Sequence, residues 1–159
     1  MSDKKPTITL QNLEAALAGE SMAHIKYRYF AQICRAHGDE ATAKVFEETA
    51  AQEVLHAIGH MELLYPRDSL NVEKALALAI EGETYEYTEM YPNFRDTARK
   101  ELEKAAEAEF AEQIDESREH AEMFRKTLEK AGKRFAALAK VEERHAKHYQ
   151  DTLDGVKSA

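Results

Sequence analysis

The chain has 159 residues, 43% of them hydrophobic and 33% charged, with a formal net charge of −8. That is one domain's worth of chain, long enough for a real core. Its Lys and Arg are interleaved among the acids, which argues against nucleic acid or an anionic membrane as partner. No apolar run approaches the ~20 residues of a membrane span. The start, Met1-Ser-Asp-Lys-Lys-Pro-Thr, lacks the apolar core of a secretory signal. The single cysteine, Cys34, excludes an internal disulfide and any Cys-x-x-Cys centre. We therefore expect a cytoplasmic protein in which Cys34 is a small core residue.

Only six Gly and three Pro interrupt the chain, which favours long helices. The first is expected over about 10–36, with Thr9 as N-cap and Gly38 as its stop. Its apolar seam runs Leu10, Leu13, Leu17, Ala23, Tyr27, Cys34, and Glu20 stands where that seam asks for an apolar residue. Asp39 can cap a second helix over 39–64, whose stripe is Phe46, Thr49, Glu53, His56, His60, Leu63 and whose stop is Pro66. Residues 65–70 form the one clear loop. A third helix over 71–104 carries Leu76, Ala79, Glu83, Glu86, Met90 in the same rhythm and should kink at Pro92. Residues 93–131 contain no Gly or Pro. A break is placed near Lys104, giving a fourth helix over 106–131. Gly132 then separates a fifth, over 133–153, with the stripe Phe135, Leu138, Glu142, His145, Tyr149, Thr152 and an end at Gly155. The fold class is all-α.

The strings Glu53-Val-Leu-His56 and Glu142-Glu-Arg-His145 carry the chemistry. Carboxylate and imidazole three apart are neighbours on one helix face. An ionised Glu in an apolar stripe is costly unless it is paired or holds a metal. Two Glu-x-x-His motifs plus an inward Glu from each of two other helices form the ligand set of di-iron carboxylate bundles. Hard oxygens with two imidazoles suit iron or manganese better than zinc. The C-terminal half also repeats itself: Phe110, His120, Ala121, Phe124, Leu128 recur 25 positions later as Phe135, His145, Ala146, Tyr149, Leu153. In the first copy Ser117 stands in the place of the ligand Glu, so His120 is read as a core or supporting histidine.

Gly19-Glu20-Ser21, Glu48-Thr-Ala-Ala-Gln-Glu53-Val-Leu-His56 and Gly82-Glu83-Thr-Tyr-Glu86-Tyr-Thr-Glu-Met-Tyr91-Pro92 resemble three motifs of the rubrerythrin family, and Phe135-Ala-Ala-Leu-Ala-Lys-Val-Glu142-Glu-Arg-His145 resembles the fourth. The resemblance implies a ferritin-like four-helix bundle with an additional helix in the C-terminal half, one domain over 1–159. It implies a di-iron centre with seven ligands: Glu20, Glu53, His56, Glu83, Glu86, Glu142 and His145. Manganese or zinc are possible substitutes for the two iron ions. Tyr27 and Tyr91 match tyrosines beside the metals in relatives, where the residues matching His56 and Glu86 exchange at one iron with redox state. The implied activity is a peroxidase of the oxidative-stress response that reduces hydrogen peroxide to water. No rubredoxin domain follows in this sequence, so electrons are expected from a separate rubredoxin-like protein. Ferritin-like iron oxidation and storage, a dioxygen-dependent di-iron oxidase and a metal-free interaction module are the competing readings. Distance from Pro92 favours His120 for the fourth-helix place, whereas motif favours Glu142 and His145; Ser117 is a poor iron ligand, so the motif is preferred.

The connector between the second and third helices suggests a homodimer. Placing Glu83 beside His56 with the usual connectivity requires a return of roughly 30 Å along the bundle. Residues 65–70 reach at most about 20 Å. A domain-swapped dimer, each site shared by two chains, removes the conflict. An antiparallel third helix is the alternative.

Overall fold

The computed structural model describes residues 7–157, so the expectation about the first residues lies outside it for positions 1–6. Among the described residues every regular element is helical, and no helix is long and apolar enough to cross a membrane. The all-α class expected from the sequence is therefore correct. The chain divides into two compact units with their boundary between Leu70 and Asn71.

The first unit is a hairpin of α1 (Ile8–Ala36) and α2 (Glu40–Leu64). Thr7, not Thr9, caps α1: its Oγ1 accepts from the Leu10 amide at 3.2 Å. Asp39 caps α2 as expected, accepting from the Thr42 amide at 3.0 Å. Ala31, Ala43 and Ala50 are the buried residues of the two helices. Such small side chains let the backbones approach closely. Outside the turn, Arg35 reaches both Glu40 (2.8 Å) and Glu47 (3.0 Å) on α2. The hairpin keeps much apolar surface uncovered, with Ile25 63%, Leu55 67% and Ile58 48% exposed.

The second unit contains α3 (Val72–Tyr85), a π-helical turn over Glu86–Met90, α4 (Tyr91–Glu101) and α5 (Lys104–Lys157). Asn71 caps α3 by accepting from the Lys74 amide at 2.8 Å. The expected kink at Pro92 takes the form of that π turn. Its wider ring carries the chain to Pro92, which then sits in the first turn of α4, where a missing amide costs little. Both α3 and α4 pack on α5. The expected stops at Gly132 and Gly155 are absent, and α5 continues for 54 residues. One glycine costs only ~1 kcal/mol against alanine in a helix, and Gly132 is flanked by good helix formers.

The break expected near Lys104 is present, but a leucine makes it. Leu102 adopts φ +63, its amide bonds to Arg99 O (3.3 Å), and the Glu103 amide bonds to Ala98 O (2.9 Å). The end of α1 has the same geometry with Gly38 (φ +81), Gly38 N–H to Arg35 O (3.0 Å) and Asp39 N–H to Cys34 O (3.0 Å). Both are the six-to-one and five-to-two closures of a helix that ends in a left-handed residue. Glycine is free there, whereas leucine is strained by ~1–2 kcal/mol. Leu102 is 81% exposed, so little packing offsets the strain. We expect Leu102→Gly to raise unfolding stability by roughly 0.5–1 kcal/mol, after the added freedom of the unfolded chain is deducted. Chemical denaturation checks this, and a loss of stability contradicts it.

Candidate metal centre

The first unit assembles three of the residues singled out in the sequence. Glu20 from α1 meets Glu53 and His56 from α2, with one ligand atom of each lying within 4.8 Å of the others. His56 Nδ1 lies 2.9 Å from Glu53 Oε2. A residue that the sequence reading missed sets this register. His24 Nδ1 is 2.8 Å from the Ala50 carbonyl, which can only accept, so the proton resides on Nδ1. His24 is one turn beyond Glu20 and Ala50 nearly one turn before Glu53, so this bond fixes both carboxylates against each other. Its signal was the four-residue step from Glu20 to His24. The Glu53 side chain is only 15% exposed and that of His56 is 57% exposed, so the cluster opens on its histidine side. Tyr27 packs against Phe46 at 5.9 Å, and Phe30 joins the same cluster at 5.6 Å from Phe46.

The second unit brings residues of α3 and the π turn to α5 in two separate pairs. His120 Nδ1 lies 3.5 Å from Glu83 Oε1. Ser117, buried at 3% exposure, has its Oγ 3.0 Å from Glu86 Oε2 and donates to it. Glu83 Oε2 is buried with no hydrogen-bond partner. A buried carboxylate oxygen without a partner is costly and calls for a proton or a cation. Tyr91, just after the π turn, stacks on Phe110 at 6.2 Å and meets Phe94 edge-on at 6.3 Å. Burial, then the charges of Glu86, Glu83, Glu109 and Glu116, hold its phenol above the ordinary value, so it keeps its proton at neutral pH.

Glu142 and His145 are not brought to Glu83 and Glu86. They lie on the same unbroken helix as His120, 22 and 25 residues on, which is roughly 33 and 38 Å at about 1.5 Å per residue. Their side chains are 76% and 59% exposed and face each other at 4.0 Å. The preference for the motif rested on Ser117 being a poor iron ligand; within this unit it is His120, not His145, that stands beside Glu83. Two carboxylates and an imidazole in the first unit, and in the second a Glu83–His120 pair with one orphaned buried oxygen, are donors that suit a divalent cation preferring oxygen and nitrogen.

The Rubrerythrin family model matches residues 11–153. Nigerythrin of Nitratidesulfovibrio vulgaris is 37% identical over 115 residues, covering 64% of this chain and 57% of that protein. Rubrerythrin-1 of Clostridium acetobutylicum is 30% identical over 171 residues, covering 98% of this chain and 75% of its own. The rubrerythrin of Nitratidesulfovibrio vulgaris is 30% identical over 169 residues, covering 99% and 75%. The fully reduced, all-ferrous state of nigerythrin is similar at a TM-score of 0.40 and 31% identity, over 82% of this chain and 71% of that one. The chain belongs to the rubrerythrin family. It spans little more than half the length of nigerythrin and three quarters of the two rubrerythrins.

The orphaned oxygen has a measurable consequence without any metal. Glu83→Gln should raise the stability of metal-free protein by roughly 1 kcal/mol, because the carboxylate whose buried oxygen lacks a partner is replaced by a neutral amide. A lower melting temperature contradicts this account of Glu83.

Proposed function

We propose that this chain is a di-iron peroxidase that reduces hydrogen peroxide to water with electrons from a separate redox protein. The convergence of Glu20, Glu53 and His56 within 4.8 Å carries the reading. Family membership supports iron as the metal. Glu20, Glu53, His56, Glu83, Glu86 and His120 would hold two ions, and these supply two electrons together for cleaving one O–O bond. Hydrogen peroxide takes up two electrons and two protons and leaves as two waters. Glu83 lies beside His120, and Glu86 accepts from the Ser117 hydroxyl. Tyr91 retains a phenolic proton close to those charges and is the proton donor we assign on this side. The π turn supports the assignment, since such turns are frequent at functional sites. Tyr27 reads as a packing partner of Phe46 that borders the other half of the centre.

The complete centre is proposed to form in a domain-swapped homodimer. The cluster of the first unit has two carboxylates and one imidazole, about half of what two metals need. The connector is shortened by a 3₁₀ turn over Arg67–Ser69, which rises only ~2 Å per residue. That makes a return of roughly 30 Å harder still. An open apolar hollow of about 340 Å³ on the hairpin, lined by Leu17, Ile25, Val54, Ile58 and Met61 among others, is surface that a partner's helices would cover.

Protein purified without chelators should hold two irons per centre, and the anaerobic ferrous form should be oxidised by one peroxide per centre. His120→Ala should lose at least one iron, while Glu142→Ala/His145→Ala should keep both. The reverse pattern moves the site to the end of α5. Mixing a Glu20→Ala/Glu53→Ala chain with a Glu83→Ala/Glu86→Ala chain tests the swap separately. A verified heterodimer should regain one iron-loaded centre, and no recovery rules the swap out.

A further inference from the structure

The serine that stands in place of a ligand carboxylate has a role of its own. Ser117 precedes His120 by three residues, the position from which a Glu-x-x-His motif projects its carboxylate onto the face shared with the histidine. It is the buried polar residue of the unit, at 3% exposure, and its hydroxyl donates to Glu86 Oε2 at 3.0 Å. A carboxylate of the π turn thus reaches the place that α5 leaves open. We propose that Ser117 is a specificity-determining residue: it directs Glu86 into the centre and, by withholding a further carboxylate, keeps coordination positions free for a small anionic or peroxidic ligand. This rests on the two-metal reading above.

Donor counting carries the argument. Glu20, Glu53, Glu83 and Glu86 offer at most eight oxygens, and His56 and His120 one nitrogen each. Ten donor atoms fall two short of the twelve that a pair of six-coordinate ions can take. A Glu at position 117 would supply the missing two and close the site. The charge count agrees. Four carboxylates balance two divalent ions, whereas a fifth leaves a negative excess that repels an incoming anion and strengthens the hold on the metals. A hydroxyl is the smallest side chain that leaves the site open and still donates to Glu86. Alanine would leave Glu86 Oε2 without this donor, and a carboxylate would face it with a like charge.

The test uses the metal-free dimer reconstituted with cobalt(II), whose visible absorption reports its ligands, and azide as the anionic probe. Wild type should bind two cobalt ions per centre and change its spectrum on azide addition. Ser117→Glu should bind cobalt about ten-fold more tightly and azide about ten-fold more weakly. Ser117→Asp, shorter and easier to accommodate at a buried position, should move both in the same direction and stands in if the Glu variant does not fold. Ser117→Ala should keep azide binding within about two-fold, because the position stays open, while cobalt affinity falls with the loss of Glu86 orientation. Two cobalt ions in wild type with undiminished azide binding in the carboxylate variants overturns the inference alone. Azide binding lost in Ser117→Ala also overturns it, since the hydroxyl would then be the ligand's partner. Fewer than two cobalt ions in wild type overturns the metal reading and this inference with it.

Discussion

Ionised carboxylates set into apolar helix seams are the constraint on which the rest of this molecule depends. Glu20, Glu53 and Glu83 each occupy a position where leucine would be the ordinary choice, and Glu53 and Glu83 are largely withdrawn from water. Burial of several like charges is unfavourable unless counter-charge is supplied. The helices supply polar partners locally. His56 stands beside Glu53, His120 beside Glu83, and Ser117 donates to Glu86. One oxygen of Glu83 is left over.

The backbone is arranged to hold these groups in place. Buried alanines bring α1 and α2 together, and the His24–Ala50 bond fixes their register beside Glu20 and Glu53. In the second unit, the π turn begins at Glu86 and ends before Tyr91, so the helix is widened where its acidic residues face α5. Tyr91 is thereby set among Phe94 and Phe110, close enough to the acids for their charge to keep its proton on. Strain is tolerated elsewhere: Leu102 takes a left-handed conformation to turn the chain from α4 into α5.

Most of the helical layout was legible because capping and stopping residues act locally. Asp39, Gly38, Pro66 and Asn71 all act at the helix ends to which the sequence assigned them. What was not legible turned on weak local preferences overruled by their neighbours. Gly132 looks like a stop, yet its cost is small against the helix formers around it, and α5 runs on. Leu102 gives no warning because leucine is rarely chosen for that conformation. At the candidate site, Glu20, Glu53 and His56 were visible as breaks in an apolar rhythm, and they converge. Glu142 and His145 have the same rhythm and do not, because identical spacing on two turns of one helix says nothing about which turn meets α3.

The central claim is that two half-sets of ligands make one two-metal centre. Anomalous scattering at the iron edge from crystals of the iron-reconstituted protein tests it most directly. The account predicts two iron peaks roughly 3.5–4 Å apart, bounded by Glu20, Glu53 and His56 from one chain and by Glu83, Glu86 and His120 from its partner. Peaks at Glu142 and His145, or a lone peak confined to one half-set, would contradict it.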